Sequence, residues 1–178
     1  MRRAVLTSAV LGLALVAAGC GGSDEASDPT AAWAAGFCTA ITDWTDSLQE
    51  VTSQFTDTSN LSEDGLRSAA DDVRSSTEQL VDEIRGLGAP ETQSGEEIRS
   101  SLDELSTTLE TEVEKISAAV DGASGITGLA SAITAASASL SAMGSAFAAT
   151  LQEIGDSDVG GELQAALEDS PECAGITG

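Results

Sequence analysis

Histidine and tyrosine are absent from this chain of 178 residues, and lysine occurs once, at Lys115. Histidine is the commonest general base and transition-metal ligand, and tyrosine supplies a phenolic acid. Serine and threonine hydroxyls are abundant, but no histidine is present to activate one. The sequence therefore predicts no catalytic residue and no cofactor, and we expect a protein that is not an enzyme. A hydrolase that uses two carboxylates stays as an alternative, although no acidic residue falls on an apolar seam.

Positive charge is equally scarce. Two of the seven basic residues, Arg2 and Arg3, stand at the amino terminus, which leaves five against 30 acidic residues and a side-chain charge of −25 beyond residue 19. Such a charge argues against nucleic acid as a partner and against direct binding of the domain to an anionic bilayer. A solvated acidic surface is its ordinary meaning.

The first 20 residues have the layout of an export signal. Arg2 and Arg3 precede an apolar run that is too short to cross a membrane, and Ala18-Gly19-Cys20 closes it. This ending resembles a bacterial lipobox, although Ala17 stands where leucine is usual. The sequence predicts a signal peptide over residues 1–19, lipidation (palmitate among the acyl groups) at Cys20, a flexible tether over 20–30 and a folded domain over 31–178. An ordinary cleaved signal with an incidental Cys20 is the alternative.

The two remaining cysteines, Cys38 and Cys173, are expected to pair. An exported protein meets an oxidising environment, in which two cysteines in one domain form a disulfide. Two free buried thiols are the alternative. A zinc site is poorly supported, because neither a histidine nor a further cysteine completes four ligands.

Four long segments repeat apolar residues at alternating spacings of three and four, which is the period of an amphipathic helix. The stripes run from Phe37 to Phe55, Leu66 to Leu87, Ile98 to Val120 and Ile126 to Ile154. A short fifth helix is predicted over residues 160–169.

Local signals predict where these helices begin and end. Asp28 before Pro29 is typical of a helix start, Ser62 is a capping candidate, and Ser94 with Glu97 forms a capping box. Gly155 is a candidate for the end of the fourth helix.

Short connections make sequential helices antiparallel neighbours. The sequence therefore predicts an all-α fold, an up-down-up-down four-helix bundle with a short C-terminal fifth helix and one disulfide. Four passes return the chain to the end where the first helix began, which brings Cys173 close to Cys38. The cysteines were not used to place the helices, so their proximity is an independent check of the bundle.

The fourth helix has no charged residue between Asp121 and Glu153. Its many serines and threonines argue against a transmembrane span, so we expect a helix buried on more than one side. Its small polar residues can line a cavity or allow close packing, and the sequence does not separate these cases. Trp33, Trp44, Met143 and Phe147 are candidate pocket residues, and core packing is the more ordinary role of the two tryptophans.

The acidic residues give no convincing metal site. Neighbours such as Asp71 and Asp72 point in different directions on a helix and do not chelate together. The segment from Asp156 to Glu162 opens like a calcium loop but then departs from the EF-hand pattern. Asp158 is better interpreted as a helix cap.

Taken together, the lipobox, the acidic tether, Phe37-Cys38 in a tryptophan-bearing helix and the closing Ser170-Pro171-Glu172-Cys173 resemble small secreted lipoproteins of actinobacteria. The resemblance supports the location and the cysteine pair and implies no activity. We expect a lipid-anchored protein on the extracytoplasmic face of the cell membrane that acts as a binding or structural module, with the membrane and an envelope protein as partners. A receptor for a small apolar or amphiphilic ligand is the alternative.

Overall fold

The structure is a computed structural model, and it describes residues 28–54 and 62–174. The export signal, Cys20, most of the tether and Phe55 lie outside these residues, so the predictions that fall on them stay predictions.

The described residues form helices and no strand, which confirms the all-α prediction. A short 3-10 helix, Pro171–Cys173, ends the described chain. The five α-helices are α1 (Pro29–Gln54), α2 (Glu63–Leu87), α3 (Gly95–Asp121), α4 (Gly125–Ser157) and α5 (Glu162–Asp169).

Two of the three caps predicted at the starts of the long helices are present. Asp28 Oδ1 accepts a hydrogen bond of 2.9 Å from the Thr30 amide, and Ser62 Oγ accepts one of 3.0 Å from the Gly65 amide. These bonds satisfy amides that have no partner inside the first turn of a helix. The capping box at Ser94 is wrong, although α3 does begin there. Ser94 makes no side-chain cap, because its backbone (φ −99°, ψ 11°) is not in the extended conformation of a capping residue. Its hydroxyl donates to the Ser157 carbonyl at the end of α4.

Hydrogen bonds between loops identify the two ends of the bundle. At one end, the Gly125 amide donates to Glu63 Oε1 over 2.9 Å, which ties the start of α4 to the start of α2. At the other end, the Thr30 hydroxyl donates to the Glu91 carbonyl beside the start of α1. Cys38 and Cys173 form a disulfide there, with their Cα atoms 5.0 Å apart. The four-helix bundle and its disulfide are therefore confirmed.

The apolar stripes of α1, α2 and α3 form the core of the domain. α2 packs on α1 and α3, and α3 packs on α4, as sequential antiparallel neighbours do. The fourth side of the bundle is different, because α1 and α4 hardly approach each other in the described residues. Near the disulfide, α5 and the 3-10 helix pack on α1 instead. The bundle is thus well packed on three sides and open on part of the fourth.

The expectation that α4 is buried on more than one side is wrong. Its buried residues lie on one narrow face that contacts α3, and most of its alanines and serines are exposed. The buried residues of α4 are Ala132, Ser139, Met143, Thr150 and Ile154. The absence of charge misled the interpretation, because small uncharged side chains tolerate water as well as burial. Among the described helices, α4 alone is long and apolar enough to cross a membrane by length and composition, a test that core helices of soluble proteins also meet.

The end of α4 differs from its prediction as well. The helix continues through Gly155 to Ser157. The chain then turns at Gly161, whose φ of 67° favours glycine. Asp158 Oδ2 accepts a 2.8 Å hydrogen bond from the Gln164 amide in the first turn of α5. This contact agrees with the interpretation of Asp158 as a helix cap.

Candidate functional site

An apolar cavity of about 360 Å³ lies inside the bundle at the end away from the disulfide. All four long helices contribute to its wall, and none of the described lining residues is titratable. The lining residues are Val51, Thr52, Leu66, Ala69, Ala70, Val73, Ile116, Val120, Ile133, Ala136, Ser137 and Leu140. Ligand sites of proteins typically have volumes of about 300–1,000 Å³, with mostly apolar walls and a few polar groups. This cavity falls at the small end of that class.

The cavity has a buried floor and an open mouth. Val73 and Ile116, on α2 and α3, are buried and belong to the floor. The two exposed lining residues are Thr52 on α1 and Ser137 on α4, and Ile133 and Leu140 of α4 are half-buried. The mouth therefore lies between α1 and α4, on the side where the bundle is open.

Two features of the packing create this cavity. Alanines occupy facing positions on α2 and α4, namely Ala69, Ala70 and Ala136, and their side chains are too small to fill the space between the helices. About two turns further along, Trp44 of α1 meets Phe147 of α4 with ring centroids 6.5 Å apart. At the level of Trp44 and Phe147, the large rings bridge the gap between α1 and α4. Closer to the end away from the disulfide, the small residues leave this gap unfilled.

The candidate pocket residues named from the sequence lie elsewhere in the domain. None of Trp33, Trp44, Met143 and Phe147 lines the apolar cavity, because each packs against neighbouring helices closer to the disulfide. The Trp33 ring stacks on Phe37 at 5.2 Å and donates through Nε1 to the Gly88 carbonyl. The four candidate residues follow the apolar stripes of α1 and α4, and this spacing in the sequence is typical of core packing.

Trp44 has a polar partner inside the core. Its Nε1 donates to Thr77 Oγ1 over 3.1 Å, and both residues are buried. Trp44 also borders a groove of only about 20 Å³ between α1 and α2, which is roughly the space of one water molecule. This groove is too small to accept an organic ligand.

Glu112 of α3 is a buried acidic residue that the sequence interpretation missed. Its side chain is 11 % exposed and pairs with Lys115 Nζ at 2.6 Å. Hydrogen bonds from Lys115 and then from Ser139 of α4 hold the pKa of this carboxyl below its ordinary value of 4.5. The expectation that no acidic residue falls on an apolar seam is therefore wrong. The signal in the sequence is its register, since Glu112 lies three residues after Leu109 and four before Ile116, which is the alternating spacing of the third stripe.

This polar contact offers little chemistry. Glu112 is ionised at neutral pH and paired with Lys115. Within residues 28–54 and 62–174, no group of three or more cysteine or acidic side chains is arranged to hold a metal ion. The apolar cavity is thus the feature that is best suited to binding.

Comparisons with known proteins give no family for this chain. No protein-family model matches it, and no curated protein or solved structure shows significant similarity to it.

Proposed function

We propose that this chain is a lipid-anchored, non-enzymatic protein of the bacterial cell envelope that binds a small apolar or amphiphilic ligand in the cavity between its four helices. The single observation that carries the ligand-binding part is the apolar cavity of about 360 Å³ with an open mouth. A purely structural module has no need of such a space, since an unfilled cavity destabilises the protein that contains it.

The envelope location rests on residues 1–20 and on the cysteine pair. A lipobox-like Ala18-Gly19-Cys20 after an apolar run supports attachment through acyl chains, each of which adds about 0.8 kcal/mol of membrane affinity per buried methylene. The disulfide Cys38–Cys173 supports export to an oxidising compartment. The path of α1 from Pro29 to Val51 is roughly 33 Å long. The cavity would therefore face away from the membrane.

Fractionation of cells tests the anchor. The wild-type chain is expected in the membrane fraction and labelled by radioactive palmitate, because diacylglycerol and an acyl chain on Cys20 give durable attachment. A Cys20→Ser chain is expected to lose the label and the lipid anchor. Continued membrane partitioning of a fully processed Cys20→Ser chain would contradict the proposal.

Absence of catalysis is part of the proposal. It is supported by the lack of histidine and tyrosine in the whole chain. It is also supported by the lining of the cavity, which contains no carboxylate, amine or thiol among the residues that the structure describes. Bound ligand would meet methyl groups and two hydroxyls, which can hold a molecule but cannot move a proton at neutral pH.

Binding of a neutral fluorescent probe tests the cavity. The domain has its own apolar core and disulfide within the described residues, so residues 21–178 exported behind an ordinary signal peptide provide a protein without acyl chains. N-phenyl-1-naphthylamine is expected to bind this protein with enhanced emission, and organic extraction followed by mass spectrometry is expected to release a copurified amphiphile.

A pair of adjacent substitutions locates the binding. Ala136→Phe places a ring in the cavity and is expected to reduce probe affinity at least about tenfold while maintaining the melting temperature, since it fills empty space. Ala135→Phe is the matched control, because Ala135 is exposed on the same helix and does not line the cavity. Equal affinity in both variants would place the probe elsewhere and remove the support for this site.

A further inference from the structure

The charges around the apolar cavity restrict what can enter it. Neither α1 nor α4, the two helices that form the mouth, contains a basic residue. The described basic residues lie on α2 and α3 and do not line the cavity. Four of these five residues are already in ion pairs: Arg67 with Glu63 and Asp64, Arg85 with Glu110, Arg99 with Asp103, and Lys115 with Glu112. An anionic headgroup would therefore find no cation at the mouth.

The net negative charge of the whole molecule also disfavours the binding of an anionic ligand. The mature chain carries a side-chain charge of −25, which repels an approaching anion and lowers its association rate and affinity at low ionic strength. A fatty acid, which is ionised at neutral pH, would bring its carboxylate into this field without a compensating partner.

Within residues 28–54 and 62–174, the mouth also lacks a carboxylate that would hold a cation. On α1, the acidic residue nearest along the chain to the lining residues is Glu50, which precedes Val51. It borders a separate cleft between α1 and α2, together with Asp72. In α4 the acidic residues, Glu153 and Asp156, lie at the opposite end of the helix. A cationic headgroup would gain only the long-range attraction of the domain.

The polar groups that do line the cavity suit an uncharged headgroup. Thr52 donates its own hydroxyl hydrogen to the Leu48 carbonyl over 2.8 Å, so its oxygen is left to accept a hydrogen bond. Ser137 is exposed and its hydroxyl can donate or accept. A ligand hydroxyl can donate to Thr52, and an ester carbonyl can accept from Ser137.

The volume sets the size of the apolar part. A cavity of about 360 Å³ is at the small end of the range of ligand sites, so it suits a ligand with a single alkyl chain. From charge, hydrogen bonding and volume, we propose that the cavity selects neutral amphiphiles, with one alkyl chain and an uncharged hydroxyl- or ester-bearing headgroup, over fatty acids of the same chain length. This inference rests on the proposed ligand-binding function and assigns its ligand class.

Three probes with the same chain length test the selection by titration calorimetry. The probes are 1-monolauroylglycerol, which is neutral, laurate, which is anionic, and dodecyltrimethylammonium, which is cationic, each below its micellar concentration. The neutral probe is expected to bind at least about tenfold more tightly than laurate at 20 mM NaCl. The difference is expected to narrow at 0.5 M NaCl, because salt screens the long-range repulsion.

A designed cation at the mouth provides the second measurement. Ser137→Lys is expected to improve laurate affinity roughly three- to fivefold, the range of a partly exposed ion pair. Ser131→Lys is the matched control, since Ser131 is exposed on the same helix outside the cavity lining and adds the same charge. A Ser131→Lys gain equal to that of Ser137→Lys would show that overall charge alone decides and would overturn the assignment of the mouth.

The outcomes separate the inference from the proposed function. The neutral-ligand assignment is overturned if laurate binds as tightly as 1-monolauroylglycerol, or if dodecyltrimethylammonium is the only probe that binds tightly. In either case the cavity is still a binding site. Failure of all three probes together with N-phenyl-1-naphthylamine overturns the proposed function itself. A dimer whose second copy closes the mouth, detected by native mass spectrometry and insensitive to the probes, would also overturn both.

Discussion

Individual polar side chains in this domain act by joining helices. Trp44 and Thr77 connect α1 to α2, and Glu112 connects α3 to α4 through Ser139. Each places a hydrogen-bonding group inside an otherwise apolar interface, where an unpaired group would be costly. Such contacts define which residues face each other, which matters in a core made largely of interchangeable aliphatic residues.

Replacement of Glu112 measures the contact between α3 and α4. Glu112→Ala is expected to lower the free energy of unfolding by about 1–3 kcal/mol, because Ser139 loses its partner in a buried place. Glu112→Gln keeps a hydrogen bond to Ser139 and loses only the pair with the exposed Lys115, at about 0.2–1 kcal/mol. Urea unfolding at pH 7 compares the two, and equal losses would contradict a role for Ser139.

The same carboxyl gives a pH dependence. Because the pKa of Glu112 is lower in the folded protein than its ordinary 4.5, its ionisation stabilises the fold above that value, and the contribution is lost as the pH falls through the folded pKa. The difference in unfolding free energy between wild type and Glu112→Gln is expected to be constant from pH 7 to 5.5 and to shrink below 4.5. A difference that does not change down to pH 3 would contradict this.

At the scale of the helix, glycine has opposite roles in α3 and α4. A Cβ on Gly95, at the start of α3, would lie 2.0 Å from the Pro90 carbonyl oxygen, so only glycine fits there without a backbone shift. A Cβ on Gly144, within α4, would meet nothing within 4 Å. The first glycine allows close packing of a loop, and the second weakens an exposed helix.

A pair of alanine substitutions tests this difference. Gly144→Ala is expected to raise the free energy of unfolding by about 0.5–1 kcal/mol, the difference in helix propensity. Gly95→Ala is expected to lower it by more than about 2 kcal/mol, because the backbone near Pro90 must move. Thermal unfolding followed by circular dichroism measures both, and a stabilised Gly95→Ala protein would contradict the close contact.

For the whole molecule, the disulfide closes the bundle near its amino-terminal end. It joins residues separated by 135 positions, and the chain-entropy model assigns about 4–5 kcal/mol to a loop of that length. The opposite end has no described covalent link, and α1 and α4 diverge there around the cavity.

Removal of the disulfide is therefore expected to destabilise the domain by up to about 4–5 kcal/mol. The double variant Cys38→Ala/Cys173→Ala is the appropriate comparison, because it leaves no unpaired thiol. Urea unfolding of the variant, with oxidised and reduced wild type beside it, measures the loss. A loss below about 1 kcal/mol would show that the helices alone determine the stability.

The excess of negative charge makes stability depend on salt. Thirty acidic residues in one chain repel each other, and the repulsion is reduced when salt screens it. The melting temperature is expected to rise between 20 mM and 0.5 M NaCl. A melting temperature that falls over this range would mean that the surface ion pairs outweigh the repulsion.

The sequence by itself determined the helices, their antiparallel order and the cysteine pairing. Apolar residues at spacings of three and four specify which face of a helix is buried, and short loops leave few ways to connect such helices. The starts of α1 and α2 followed from Asp28 and Ser62, which cap the backbone within a few residues.

Only the tertiary structure decided the partners of each residue across the bundle. The position of the cavity depends on alanines of α2 and α4 that meet at the same height, and on Trp44 and Phe147, which bridge α1 and α4 elsewhere. The burial of Glu112 and the exposure of α4 likewise depend on which helix lies opposite. A helical period identifies the side of a helix that faces inward. The volume left between two facing side chains depends on their relative positions along the bundle axis. These positions are determined by contacts between residues that are distant in sequence.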